Sequence, residues 1–187
     1  MSKHLQYPAA KWIRLRMAAL VFPLLLALGL FLAAPVHADK GLTCDFYDII
    51  ELPEGWKVSI SPGLNNADSR TLGHYYNRAK DSSVLIQIDK ADFHNDIEAV
   101  VRKLVEGFRQ NGAKILAEPT PDGPLMRLEA TLTGTPAVVW VGTKDELSSL
   151  TILTGDMDAC RDFLSLVRNA DPLLIPTADM VPPGTGQ

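Results

Sequence analysis

NDIEAVVRKLVEGFRQNG, residues 95–112, decides the fold of this 187-residue chain. Ile97, Val100, Val101, Leu104, Val105 and Phe108 fall at i, i+3, i+4, i+7, i+8 and i+11. That spacing paints one apolar stripe down an α-helix. Asn95 with Glu98 three residues later reads as a capping box. Glu98 and Arg102 add an i,i+4 pair on the wet face. Gly112 stands where a C′ glycine ends the helix. A helix greasy on one side only must lie on another layer.

That layer is written on both sides of the helix. Upstream, the segment 46–60 turns at Pro53-Glu54-Gly55. Trp56, Val58 and Ile60 then alternate with Lys57, Ser59 and Ser61. Period two marks a strand with one buried face. Pro62-Gly63 and Asn65-Asn66 break it. Leu72, His74 and Tyr76 alternate with Gly73, Tyr75 and Asn77, and Val84, Ile86 and Ile88 with Leu85, Gln87 and Asp89. These two runs read as a hairpin.

Downstream, residues 114–117 predict a short strand, and residues 119–124, with three prolines and a glycine, a tight rigid turn. Met126, Leu128, Ala130 and Leu132 alternate with polar residues, residues 137–141 are apolar on both faces, and residues 150–154 return. The expectation is four consecutive strands joined by hairpins. Asp156 then caps a second helix, with Asp158 near its positive end. Met157, Cys160, Phe163, Leu164 and Val167 share its inner face. The fold class is therefore α+β, a largely antiparallel sheet flanked by two helices.

Apolar residues make up 47% and charged residues 21%, which fits a globular chain and excludes collagen-like and disordered classes. Charge is unevenly spread. Residues 1–38 hold Lys3, Lys11, Arg14 and Arg16 and no acid. The rest holds 14 Lys and Arg against 22 Asp and Glu, a net of −8. An acidic body excludes a phosphate-backbone binder, so no nucleic acid is expected.

The basic start precedes an uncharged run from Met17 to Ala34, a break at Pro35, and Val36-His37-Ala38 before polar Asp39. Charge, grease, break and small residue are the order of a secretory signal over residues 1–38, with the mature chain starting at Asp39. The competing reading is an uncleaved anchor, which would tether the body to the membrane. Cys44 follows Thr43 rather than the apolar run, so lipidation is set aside. The short signal and the lack of Asn-x-Ser/Thr point to the periplasm. A single domain then covers residues 39–170, and a Pro-rich tail covers residues 171–187. In that tail Leu173, Leu174 and Ile175 dock and the last ten or so residues are disordered.

Cys44 and Cys160 are the two cysteines of an exported chain, and the expectation is one disulfide between them. No zinc, nucleotide or hydrolase motif occurs. His74 and His94 are the histidines beyond the signal, too few for a metal site by themselves. Asp156 and Asp158 read as caps. No catalytic residue, metal or cofactor is assigned. Trp56 and Trp140 read as core. Alternation puts Tyr75 and Tyr76 on opposite faces, one buried and one exposed, so His74, Tyr75 and Tyr76 form the candidate binding surface.

Leu52-Pro53-Glu54-Gly55-Trp56 entering an early strand, and the helix from Asn95 followed by a meander and a terminal helix, resemble the Mog1/PsbP-like superfamily, including the periplasmic DcrB-like proteins. The resemblance covers roughly residues 46–170 and implies a helix-sheet-helix sandwich. It also implies an accessory or binding role without agreed catalytic residues. The expected function is a non-enzymatic envelope protein that engages a protein partner through a sheet edge or an exposed aromatic. The alternative is a periplasmic small-molecule binder or weak hydrolase, with a pocket between sheet and helix and His74 and tyrosines lining it.

Overall fold

Seven antiparallel strands, a small three-stranded sheet and two helices make up the computed structural model, which describes residues 42–60, 71–90 and 96–184. Residues 1–38, read above as a secretory signal, the Pro62 to Asn66 break, His94 and Asn95 lie outside the described residues. The strands are β1 (Leu42–Thr43), β2 (Asp48–Ile49), β3 (Trp56–Ile60), β4 (Thr71–Asn77) and β5 (Ser82–Lys90). Helix α1 (Ile97–Gln110) follows, then β6 (Lys114–Asp122), β7 (Leu125–Leu132), β8 (Thr135–Lys144) and β9 (Leu147–Thr154). Helix α2 (Met157–Leu164), β10 (Val167–Arg168) and a 3₁₀ turn (Ala178–Met180) close the chain. The large sheet runs β3-β4-β5-β9-β8-β7-β6 and the small one β1-β2-β10. The chain is α+β with mostly antiparallel sheets.

The β4–β5 hairpin and the β6 to β9 meander form as their alternation requires. What joins them is β5 against β9, from Ser83↔Thr154 to Lys90↔Leu147. Because β5 takes β9 rather than β6 as its neighbour, the chain must travel to the far edge before the meander starts. Helix α1 makes that journey and packs on β6, β7 and β8 through its buried Val101, Val105 and Phe108. Its N-cap is Asp96, not Asn95. The Asp96 carboxylate accepts from the backbone N–H of Glu98 at 3.1 Å and of Ala99 at 3.2 Å. Gly112 takes the C′ position with φ of 79°, as expected.

Three further readings are corrected. Of residues 119–124 only Gly123 and Pro124 turn: β6 continues through Pro119 and Pro121 to Asp122. β6 is an edge strand, where a missing N–H faces no partner, and two register shifts absorb the misfit. Helix α2 ends at Leu164, and Val167 belongs to β10, paired with Ile49. The tail is ordered through Gly184. Leu174, Ile175 and Val181 are core residues. Arg161 donates to the carbonyls of Val181 at 3.0 Å and Pro182 at 2.7 Å, and Ser149 Oγ donates to that of Leu174.

The tail is needed because α2 is only eight residues long. One face of the sheet carries Trp56, Val58, Tyr75, Val84, Ile86, Ile88, Val138, Trp140 and Leu153. Phe163 of α2 covers part of it, its ring 4.7 Å from that of Trp56 and 4.8 Å from that of Tyr75. Tyr47 and Ile49 from β2 and its approach cover another part, and the tail the remainder. Gly142 permits this: a Cβ there would strike the Leu173 carbonyl. Trp56 and Trp140 are both core, as expected.

Ile175→Ala is expected to lower unfolding free energy by about 2–5 kcal/mol, the cost of a core cavity. Urea denaturation checks it, and a change within about 0.5 kcal/mol, the range of an exposed site, would place the tail outside the core.

Candidate functional site

β4 runs TLGHYYN without a charge, and all seven of its residues are buried. Tyr75 points to the α2 side. Its hydroxyl meets the Tyr47 hydroxyl at 2.9 Å, above Gly73, whose lack of a side chain leaves room for both. Burial is the main cause that raises both phenols well above their ordinary value, so both remain neutral hydroxyls. Tyr76 points to the opposite face. The expectation that one tyrosine is exposed is corrected: Tyr75 is 0% and Tyr76 8% exposed. β4 is the second strand in, so it has a neighbour on either side.

His74 shares the Tyr76 face, with ring centroids 6.4 Å apart. Its Nδ1 lies 2.9 Å from Ser59 Oγ of β3. The pairing slips between Val58 and Ile60, and Ile60 rather than Ser59 stands opposite His74. That bulge turns Ser59 to the histidine. Sequence reasoning missed Ser59, because strict alternation gives it no special role. Burial alone pulls the His74 imidazole below its ordinary value. On the same face Gln87 is buried and its side-chain amide donates to Asp89. At the hairpin end Arg78 is exposed, its guanidinium carbon 5.5 Å from the centre of the Tyr76 ring. Lys57 of β3, also exposed, stands in register with Tyr76.

Of the candidate surface, then, His74 and Tyr76 come together with Ser59, Lys57 and Arg78, while Tyr75 belongs to the core on the other side. Asp156 and Asp158 serve as cap and first-turn acid: Asp156 accepts from the N–H of Asp158 and Ala159. Asp158 pairs with Arg161, which with the Gly184 N–H holds its carboxyl below the ordinary range. Among the described residues no three His, Cys, Asp or Glu side chains are placed to hold a metal ion. No described helix is long and apolar enough to cross a membrane.

The expected disulfide is absent, and both cysteines are free thiols. Each faces its own carbonyls. Cys44 Sγ donates to Tyr47 O at 3.3 Å in the turn between β1 and β2. Cys160 Sγ lies 3.5 Å from Thr154 O and 3.7 Å from Ser83 O, enclosed where α2 meets β5 and β9. Burial pushes the Cys160 thiol up to about 12 and also raises Cys44. Neither is an activated nucleophile, which would need a depressed value.

Compared with models of known protein families and with curated protein sequences, the chain matches none of them.

Two outcomes follow from these environments. His74 binds its proton less readily folded than unfolded, so stability should fall as pH drops through about 6.5, the unfolded value. Urea midpoints between about pH 7.5 and 5 check this. The folded His74→Gln protein should lose that part of the pH dependence, and an unchanged slope would contradict the burial effect. Two thiols should titrate in denaturant without reductant. In the native protein Cys44 should alkylate before Cys160, which is 0% exposed. A linked peptide in a non-reducing digest would overturn the free-thiol state.

Proposed function

We propose that the chain is an exported, non-enzymatic envelope protein of the periplasm that engages a protein partner through the edge of its large sheet. The observation that carries the reading is the open sheet. Among the described residues nothing pairs with the outer side of β3 or of β6. An unpaired edge is a ready template for another chain. The interior adds support, since burial holds Tyr47, Tyr75 and Cys160 in their neutral forms. We further infer the helix-sheet-helix sandwich of the Mog1/PsbP-like superfamily and its DcrB-like members. In its favour, the buried residues of α1 lie outside the cluster built round Phe163 of α2, as helices on opposite faces require.

The Ser59–His74 contact favours a second reading, a weak hydrolase or small-molecule binder with a pocket between sheet and helix. Ser59 Oγ would attack an ester carbonyl as His74, kept neutral by burial, takes its proton; His74 would return the proton to the departing alkoxide, and water would then free the acyl group from Ser59. That reading requires Ser59→Ala to abolish ester hydrolysis by the purified protein. The partner reading requires no difference between the two proteins.

A photo-crosslinking residue placed at Lys57, at Leu116 on β6 or at Arg102 on α1 separates edge from face in the native host. Discrete protein adducts are expected from an edge position and not from Arg102. Adducts from Arg102 alone, or none from any position, would refute edge-mediated partner binding.

A further inference from the structure

The two edges of the large sheet are not equivalent. β6 is guarded: Pro119 and Pro121 offer no N–H, the register shifts twice, and Glu118 is tied to Arg109 at 3.2 Å. These are the devices that keep an edge from accepting a strand. β3 holds no proline between Trp56 and Ile60, and its one shift lies at its end, between Val58 and Ile60.

Charge separates the edges further. On this acidic body Lys90 pairs with Glu146, Arg127 with Glu129 and Lys144 with Asp171, and the β6 edge keeps only Lys114, at its first position, without an ion pair among the described residues. Lys57 and Arg78 have no carboxylate partner among the described residues. They stand together on one face, Lys57 in register with Tyr76 and Arg78 stacked on its ring. The stacking holds the guanidinium over the ring and leaves its hydrogen-bonding rim free. A strand added to β3 would bring a side chain about 5 Å from Lys57 on that face. A carboxylate there is attracted, whereas an apolar or cationic side chain strips or repels the lysine. Nucleic acid and anionic bilayers are disfavoured by the net charge of −8 on residues 39–187. A short segment with its own few acids fits the patch without meeting the rest of the body.

We propose that β3 is a docking strand for an extended acidic segment of a protein partner, with Lys57 and Arg78 reading its carboxylates. The proposal deepens the partner reading above and depends on it.

Fluorescence anisotropy of the exported protein with a labelled peptide of alternating Val and Glu tests it, beside the same peptide with Lys for Glu. The Glu peptide should bind and the Lys peptide should not. Reversing both cations, Lys57→Glu with Arg78→Glu, should weaken binding about tenfold or more, while Arg102→Glu leaves it unchanged. Bound peptide should slow amide exchange in residues 56–60. Equal weakening by Arg102→Glu, equal binding of both peptides, or no binding up to millimolar would overturn the proposal. So would cation-dependent binding to phosphatidylglycerol vesicles in place of the peptide. Any of these beside protein adducts from Leu116 retires β3 as the dock and leaves the partner reading intact. Their combination with no edge adducts retires both.

Discussion

The pairing of β5 with β9 is the constraint on which the rest of the structure depends. It joins a hairpin unit made before α1 to a meander made after it, across eight paired positions. Contacts so distant in sequence carry a loop-closure cost that the local hairpins avoid. The apolar ladder on the α2 side, Val84 against Leu153 and Val138 beyond, offsets it. Once that seam forms, the course of α1 across the sheet is fixed, and so is the gap that α2 and the tail must fill. Cys160 and Phe163 sit on this seam or beside it, so the short last helix commits its inner face, Ala159, Cys160, Phe163 and Leu164, to the core.

The same seam decides which chemistry the molecule keeps. Groups that could react are enclosed, on β4 and under α2, where burial holds phenols and thiols neutral and lowers the imidazole of His74. Groups that can recognise lie toward the β3 edge, where Lys57 and Arg78 remain exposed around Tyr76. Inside, polarity is spent on locking strands: Ser59 to His74, Ser83 to Thr154 at 2.8 Å, Tyr47 to Tyr75. Outside, Lys57 and Arg78 stand on one face without a carboxylate partner among the described residues.

Much of this was legible in the sequence, and the failures have physical causes. The stripe of α1 and the alternation of β7 report their own burial, because period alone shows which face is wet, and the unbroken apolar run of β8 marks a strand covered on both faces. The cap shifted by one residue since Asn95 and Asp96 are both good caps, and backbone geometry chooses between them. Pro119 and Pro121 read as a turn because local rules treat proline as a breaker, whereas an edge strand tolerates it. The tail read as mostly disordered because its prolines outweighed Val181, and only the shortness of α2 reveals the space it fills. His74 and Tyr76 were found by composition. Ser59 needed the bulge, Arg78 needed the stacking, and neither leaves a periodic mark. One of Tyr75 and Tyr76 was expected at the surface, and both are buried, because alternation reports one strand's faces, not whether both are covered.

Native-state hydrogen exchange tests the central claim, a sheet held at the β5–β9 seam and open at β3. Amides of β5 and β9 should exchange only through global unfolding, with a common free energy that falls with urea as the whole fold does. Amides of β3 should exchange faster, through local opening nearly independent of urea. Protection of β3 equal to that of β5, or a β6 to β8 meander that outlasts β5 and β9, would contradict it.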